Sequence, residues 1–67
     1  MDEAKAREIL ANVIGEGGGL TGTLDASHDQ SGFVFWLPGD TEALLDGKFT
    51  PAQLDTIAWW VRQHSQS

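Results

Sequence analysis

The clearest periodicity in the chain lies between Phe49 and Gln63. Thr50-Pro51, followed by Gln53, is the pattern of a helix N-terminus. Proline suits the first helical position because the N–H it lacks is one a helix leaves unbonded, and the threonine and glutamine side chains can bond each other's backbone amides. Phe49 before the cap and Leu54 after it stand where a hydrophobic staple packs. At about 100° per residue, Leu54, Ile57, Ala58 and Val61 fall on one stripe, with Trp60 on its flank and Trp59 nearly opposite. The pattern predicts a core helix that displays Trp59 on its far side, and 65–67 are expected to fray.

The same periodicity predicts a helix over 2–14, with Ala6, Leu10 and Val13 on its inner stripe and Ile9 and Ile14 flanking it. Asp2 and Glu3 suit the positive end of its dipole, Glu3 and Arg7 form a favourable pair one turn apart, and Gly15 is placed to close it in a left-handed conformation. Gly17-Gly18-Gly19 then turns the chain. These glycines follow a helix instead of preceding one, and no Gly-Lys-Ser/Thr comes after them, so they lack the context of a phosphate-binding loop.

From Leu20 to Asp25 the period changes to two, the mark of a half-buried strand, with Gly22 at a bulge or a close approach to a helix. Gly32 to Leu37 is the strongest strand signal, placing Phe33, Phe35 and Leu37 on one face and Val34 and Trp36 on the other. The turn-forming residues between Asp25 and Gly32 predict an antiparallel hairpin with a loop of about six residues. Pro38-Gly39 ends the second strand. Asp40 or Thr41 can cap a short helix over Glu42-Ala43-Leu44-Leu45, closed by Gly47. The expected architecture is therefore α+β in the order α-β-β-α-α. Its two-stranded antiparallel hairpin packs against the N- and C-terminal helices, within one domain over 1–67. If the helices cover the Phe33 face, Val34 and Trp36 are left exposed.

Composition narrows the function. A chain of 67 residues buries only about 60% of the surface its unfolded form exposes. It has no cysteine, so neither a disulfide framework nor a thiolate metal site can support it. Ten acidic residues against four basic ones give a formal charge of −6, which opposes binding to phosphate backbones and anionic lipid and favours a basic protein surface. No apolar run approaches the roughly 20 residues of a membrane span, and the first residues lack the basic and apolar regions of a signal peptide. A cytoplasmic protein that binds neither membrane nor nucleic acid is expected.

Candidate chemistry is sparse. Asp46-Gly47-Lys48-Phe49-Thr50 with Gln53 resembles the second half of a calcium-binding EF-hand loop, and in that register Glu42, Asp46, Thr50 and Gln53 are the candidate metal ligands. Leu44 falls at a ligand position without an oxygen, and Gln53 stands where a bidentate glutamate belongs, so any such site over 42–53 is weak and degenerate. His28, Asp29 and Ser31 are neighbours in a turn, not members of a fixed triad. His64 suits the negative end of the last helix. No carboxylate pair sits in an apolar setting that would separate its pKa values. No cofactor and no enzymatic activity are expected. The leading expectation is a small acidic protein-interaction module that contacts another protein or a second copy through Val34, Trp36 and Trp59. The alternatives are the weak calcium site and an acidic inhibitor that mimics nucleic acid.

Overall fold

The computed structural model describes residues 1–27 and 30–65. Two helices lie on one face of a three-stranded antiparallel sheet. Helix α1 is Glu3–Ile9, strands β1, β2 and β3 are Leu20–Ser27, Gln30–Trp36 and Leu44–Gly47, and helix α2 is Pro51–Ser65. The strands follow one another as a meander in the order β1-β2-β3. The expected α+β class holds, but the order is α-β-β-β-α and the hairpin is a three-stranded sheet. Among the described residues no helix is long and apolar enough to cross a membrane.

Helix α1 starts as its charges predict. The Asp2 carboxylate accepts the Lys5 amide at 2.8 Å, and Arg7 bonds Glu3 one turn away at 3.0 Å. It ends at Ile9, earlier than expected. The β-branched pair Val13-Ile14 favours extended backbone, and residues 13–15 take partners in the next segment. Thr21 N–H donates to the Val13 carbonyl at 2.8 Å, Gly15 N–H to Gly19 at 2.7 Å, and Ile14 bridges Leu20. In this turn the left-handed glycines are Gly17 and Gly18, with φ of 76° and 88°, and Gly15 is not one of them.

Strands β1 and β2 pair from Leu20↔Trp36 to Asp25↔Ser31, and after an irregularity they pair again at Ser27↔Gln30. Much of the expected loop is thus strand, and His28 and Asp29 lie outside the described residues. The short helix expected at 42–45 is instead the edge strand β3, with Phe35↔Leu44, Val34↔Leu45 and Phe33↔Asp46 as partners. Four residues are too few to repay helix nucleation. The same residues, extended, satisfy the backbone groups on the second side of β2, and a third strand stabilises a hairpin that would be marginal alone.

The core comprises Ala6, Leu10 and Val13 from the N-terminal segment, Leu20 and Leu24 from β1, Val34 and Trp36 from β2, and Ile57 and Trp60 from α2. Glycines let the segments that follow α1 and precede α2 approach the sheet. A Cβ on Gly22 would stand 3.1 Å from Val13 Cγ1, and one on Gly32 would stand 2.5 Å from the Phe49 ring. The close approach expected at Gly22 is therefore present, although it is made by the turn after α1 and not by a helix. Phe49 lies over Gly32, while Leu54, its expected staple partner, stays exposed.

The capping box forms as read. Gln53 N–H donates to Thr50 Oγ1 at 3.1 Å, and Thr50 N–H donates to Gln53 Oε1 at 2.9 Å. The buried face of α2, however, is rotated by about a quarter of a turn from the aliphatic stripe. Gln53, Thr56, Ile57 and Trp60 are buried, whereas Leu54 and Ala58 are exposed. The buried polar groups are bonded close to home: Gln53 in the cap, and Thr56 Oγ1 donating to the Ala52 carbonyl at 2.6 Å. Among the described residues no buried side-chain polar atom lacks a partner, so burying this mixed face incurs little of the penalty for an unbonded polar group.

Candidate functional site

The two faces of β2 are reversed from the expected contact surface. Val34 and Trp36 are 0% exposed, whereas Phe33 and Phe35 are each 39% exposed. Val34 and Trp36 therefore belong to the core and cannot be contact residues in the folded chain. Trp36 is held there by its indole N–H, which donates to the Asp40 carbonyl at 2.8 Å. Trp59 is half-buried at the margin of the core, its ring centroid 6.3 Å from that of Trp60, and it is not freely displayed. Of the three residues expected to meet a partner, only Trp59 retains accessible surface.

What is exposed instead is the outer face of the sheet. Register places Phe35 opposite both Thr21 and Leu44, and Phe33 opposite both Thr23 and Asp46. Phe33, Phe35 and Leu44 thus share the side away from the helices, and Leu37, 52% exposed, continues the row past the end of β2. Beside Phe35 and Leu44, a depression of about 350 Å³ is also lined by Asp40, Glu42 and Ala43. It combines an apolar floor with two exposed carboxylates.

A second depression, of about 330 Å³, opens on the other side of β3. Leu45 and Ala43 form one wall, and Leu54, Ala58 and Val61 of α2 form the other, with Arg62 among the lining residues. It exists because α2 turns Gln53, Thr56 and Trp60 to the core and leaves its aliphatic stripe facing the edge strand. All four residues of β3 are exposed.

The two sheet edges are treated differently. The start of β1 is covered by the 13–14 segment through the Ile14↔Leu20 bridge and the Thr21 amide, and its far end carries the irregularity between Asp25 and Ser27. Covering segments and bulges are devices that keep sheet edges from pairing with other chains. On its side away from β2, strand β3 has no strand partner among the described residues.

The calcium-loop reading meets a different backbone. Leu44–Gly47, its central part, is a paired strand and not a loop wrapped around an ion. Thr50 Oγ1 and Gln53 Oε1 are engaged in the cap, which leaves Glu42 and Asp46 on the outer side without the rest of the proposed ligand set. Among the described residues no group of three or more His, Asp or Glu side chains could hold a metal. His64 is a packing residue: its ring stacks on Trp60 at 4.3 Å between centroids and meets Trp36 edge-on at 6.5 Å. The Arg7 guanidinium lies 5.3 Å from the Trp60 ring, so a cation also covers that indole. Among the described residues the acids are spread over the N-terminal segment as far as Glu16, β1 with Asp25, the β2–β3 region and α2, with no single element collecting them.

Compared with known proteins, the chain matches no family model, no curated protein and no solved structure.

The outer face could have been found from β1. Leu20 and Leu24 alternate with Thr21 and Thr23, which marks the threonine side as the wetter one. Carrying that assignment to β2 needs the strand register, and a slip of one residue sends every side chain to the opposite face.

Proposed function

We propose that this protein is an interaction module that docks a basic partner protein against the outer face of its sheet. The observation that carries this reading is the exposed row Phe33, Phe35, Leu37 and Leu44, bordered by Asp40, Glu42 and Asp46. Burial of apolar surface is worth ~25 cal/mol per Å², so the part of this row that stays exposed is a source of binding energy that the chain's own fold leaves over. Aromatic centres with polar borders are the usual anatomy of docking surfaces.

Charge favours a basic partner. Of the four basic residues, Lys5 and Arg7 lie on α1, in the layer behind the sheet, and pair with Glu8 and Glu3, while Lys48 follows β3 and Arg62 lines the second depression. The attraction for a basic partner therefore comes from the outer border of Asp40, Glu42 and Asp46. The net charge of −6 makes two copies repel, whereas it steers a basic surface toward the acidic border. The test is affinity enrichment from the native host with the wild-type protein and with a Phe33→Thr/Phe35→Thr variant whose folding is checked by circular dichroism. A basic partner retained by the wild type, released by salt and lost with the variant is the expected result. A partner held equally well by both proteins overturns the reading, and a dimer dispersed by the same substitutions replaces the basic partner with a second copy.

A further inference from the structure

We propose that the partner supplies an extended segment that adds to the free edge of β3 as a fourth strand, alternating basic residues on the outer side with aliphatic residues on the inner side. This rests on the reading of the protein as a docking module and specifies how the partner is held.

Three observations converge on β3. Among the described residues its outer edge has no strand partner, while β1 is covered at its start and irregular at its end. An unpaired edge presents a row of backbone donors and acceptors, and strand addition satisfies them. The strand also lies between two depressions of different chemistry, and both include Ala43 at its threshold. Because side chains of an added strand alternate between faces, every second residue would meet one depression and the residues between them the other.

The linings state the chemistry each position requires. On the outer side, Phe35 and Leu44 offer an apolar floor with Asp40 and Glu42 at its margin. A lysine or arginine fits this arrangement, laying its methylene stem on the floor and its charge beside the carboxylates. On the inner side, Leu45, Leu54, Ala58 and Val61 form an aliphatic wall with Thr41 and Arg62 also in the lining, which suits valine, isoleucine or leucine and disfavours a second cation. A second copy of this chain fits less well, because its own β3 would bring another Asp46 toward a border that is already acidic.

The probe is a short synthetic peptide alternating lysine and valine, titrated into the isotopically labelled protein and followed by amide and methyl shifts. Three companion peptides have glutamate in place of lysine, N-methyl groups on one alternate set of amides, or N-methyl groups on the other set. The lysine peptide is expected to move the amides of Leu44–Gly47 and the methyls of Leu45 and Leu54. One N-methylated peptide should bind as well as the parent and the other not at all, because only one set of amides faces the sheet. The glutamate peptide should not bind. The Asp40→Asn/Glu42→Gln variant, altered only at exposed side chains, should weaken binding by roughly tenfold.

Equal binding of the two N-methylated peptides, shifts centred away from β3, or tight binding of the glutamate peptide would each overturn strand addition. So would concentration-dependent shifts at Leu44–Gly47 without peptide, which would put a second copy on the edge. Loss of the host partner on substitution of Phe33 and Phe35, with no N-methyl discrimination, would leave the docking module standing and remove only the strand. Strand addition by the peptide, with host binding indifferent to Phe33 and Phe35, would keep the edge and remove the outer face.

Discussion

The indole N–H of Trp60 donates to the carbonyl of Gly18 at 2.8 Å, tying α2 to the glycine segment across a sequence separation of 42. Trp60 is fully buried, so this bond both satisfies the indole and fixes where the chain turns between α1 and β1. Trp60→Phe keeps most of the ring but leaves the Gly18 carbonyl without its donor. It is expected to cost about 1–3 kcal/mol, read as a lower urea midpoint. Trp60→Ala should cost about 3–5 kcal/mol.

The reciprocal cap at Thr50 and Gln53 makes a smaller and more local prediction. Thr50→Ala removes the acceptor for the Gln53 amide and should lower stability by about 1 kcal/mol. Hydrogen exchange at the first turn of α2 should quicken while the amides of β1 and β2 change little. Uniform acceleration through the sheet would show that the cap does more than hold its own helix.

Gly32 and Phe49 should behave as a coupled pair. A methyl group on Gly32 meets the Phe49 ring, so Gly32→Ala is expected to destabilise the fold by about 1–3 kcal/mol. Combined with Phe49→Leu, the penalty of Gly32→Ala should shrink, and a double-mutant cycle should return a coupling above about 0.5 kcal/mol. Additive losses would place the cost in the strand backbone instead of the ring.

The reversal of the two faces of β2 can be checked by stability alone. Trp36→Ala should cost about 3–5 kcal/mol, because it empties the core and frees the Asp40 carbonyl. Leu44→Thr, at an exposed edge position, should change stability by about 0.5 kcal/mol or less. If the two substitutions had similar effects, the helices would lie on the other side of the sheet.

Local features were the most legible in the sequence. The capping box, the acidic start of α1, the buried positions Ala6, Leu10 and Val13 of the N-terminal segment, and the close approach at Gly22 depend on residues within a turn or two, or on a glycine whose missing side chain is itself the signal. What failed depended on distant pairing. The segment 42–47 carried good helix punctuation, and only the presence of β2 beside it made a strand the better use of Leu44 and Leu45. The stripe on α2 was read from aliphatic residues, but Gln53 and Thr56 can be buried because their polar atoms bond within the same turn. That freed Leu54 and Ala58 to face the edge strand. Val34 and Trp36 lie on the buried side, and β2 alone cannot show this because a strand's two faces are equivalent until its register with a neighbour is known. The candidate site depends on each of these pairings, because it consists of the surfaces left over once the core is chosen.

The unequal treatment of the two sheet edges also limits assembly. Among the described residues, β1 is bridged at its start and irregular at its end, which leaves β3 as the seat for an added strand, so a partner that binds there should do so in a one-to-one ratio. If two copies were forced together at high concentration, each would cover the other's β3 and leave no seat for a third. Association through this edge is therefore self-terminating: it can form a pair but not a fibre.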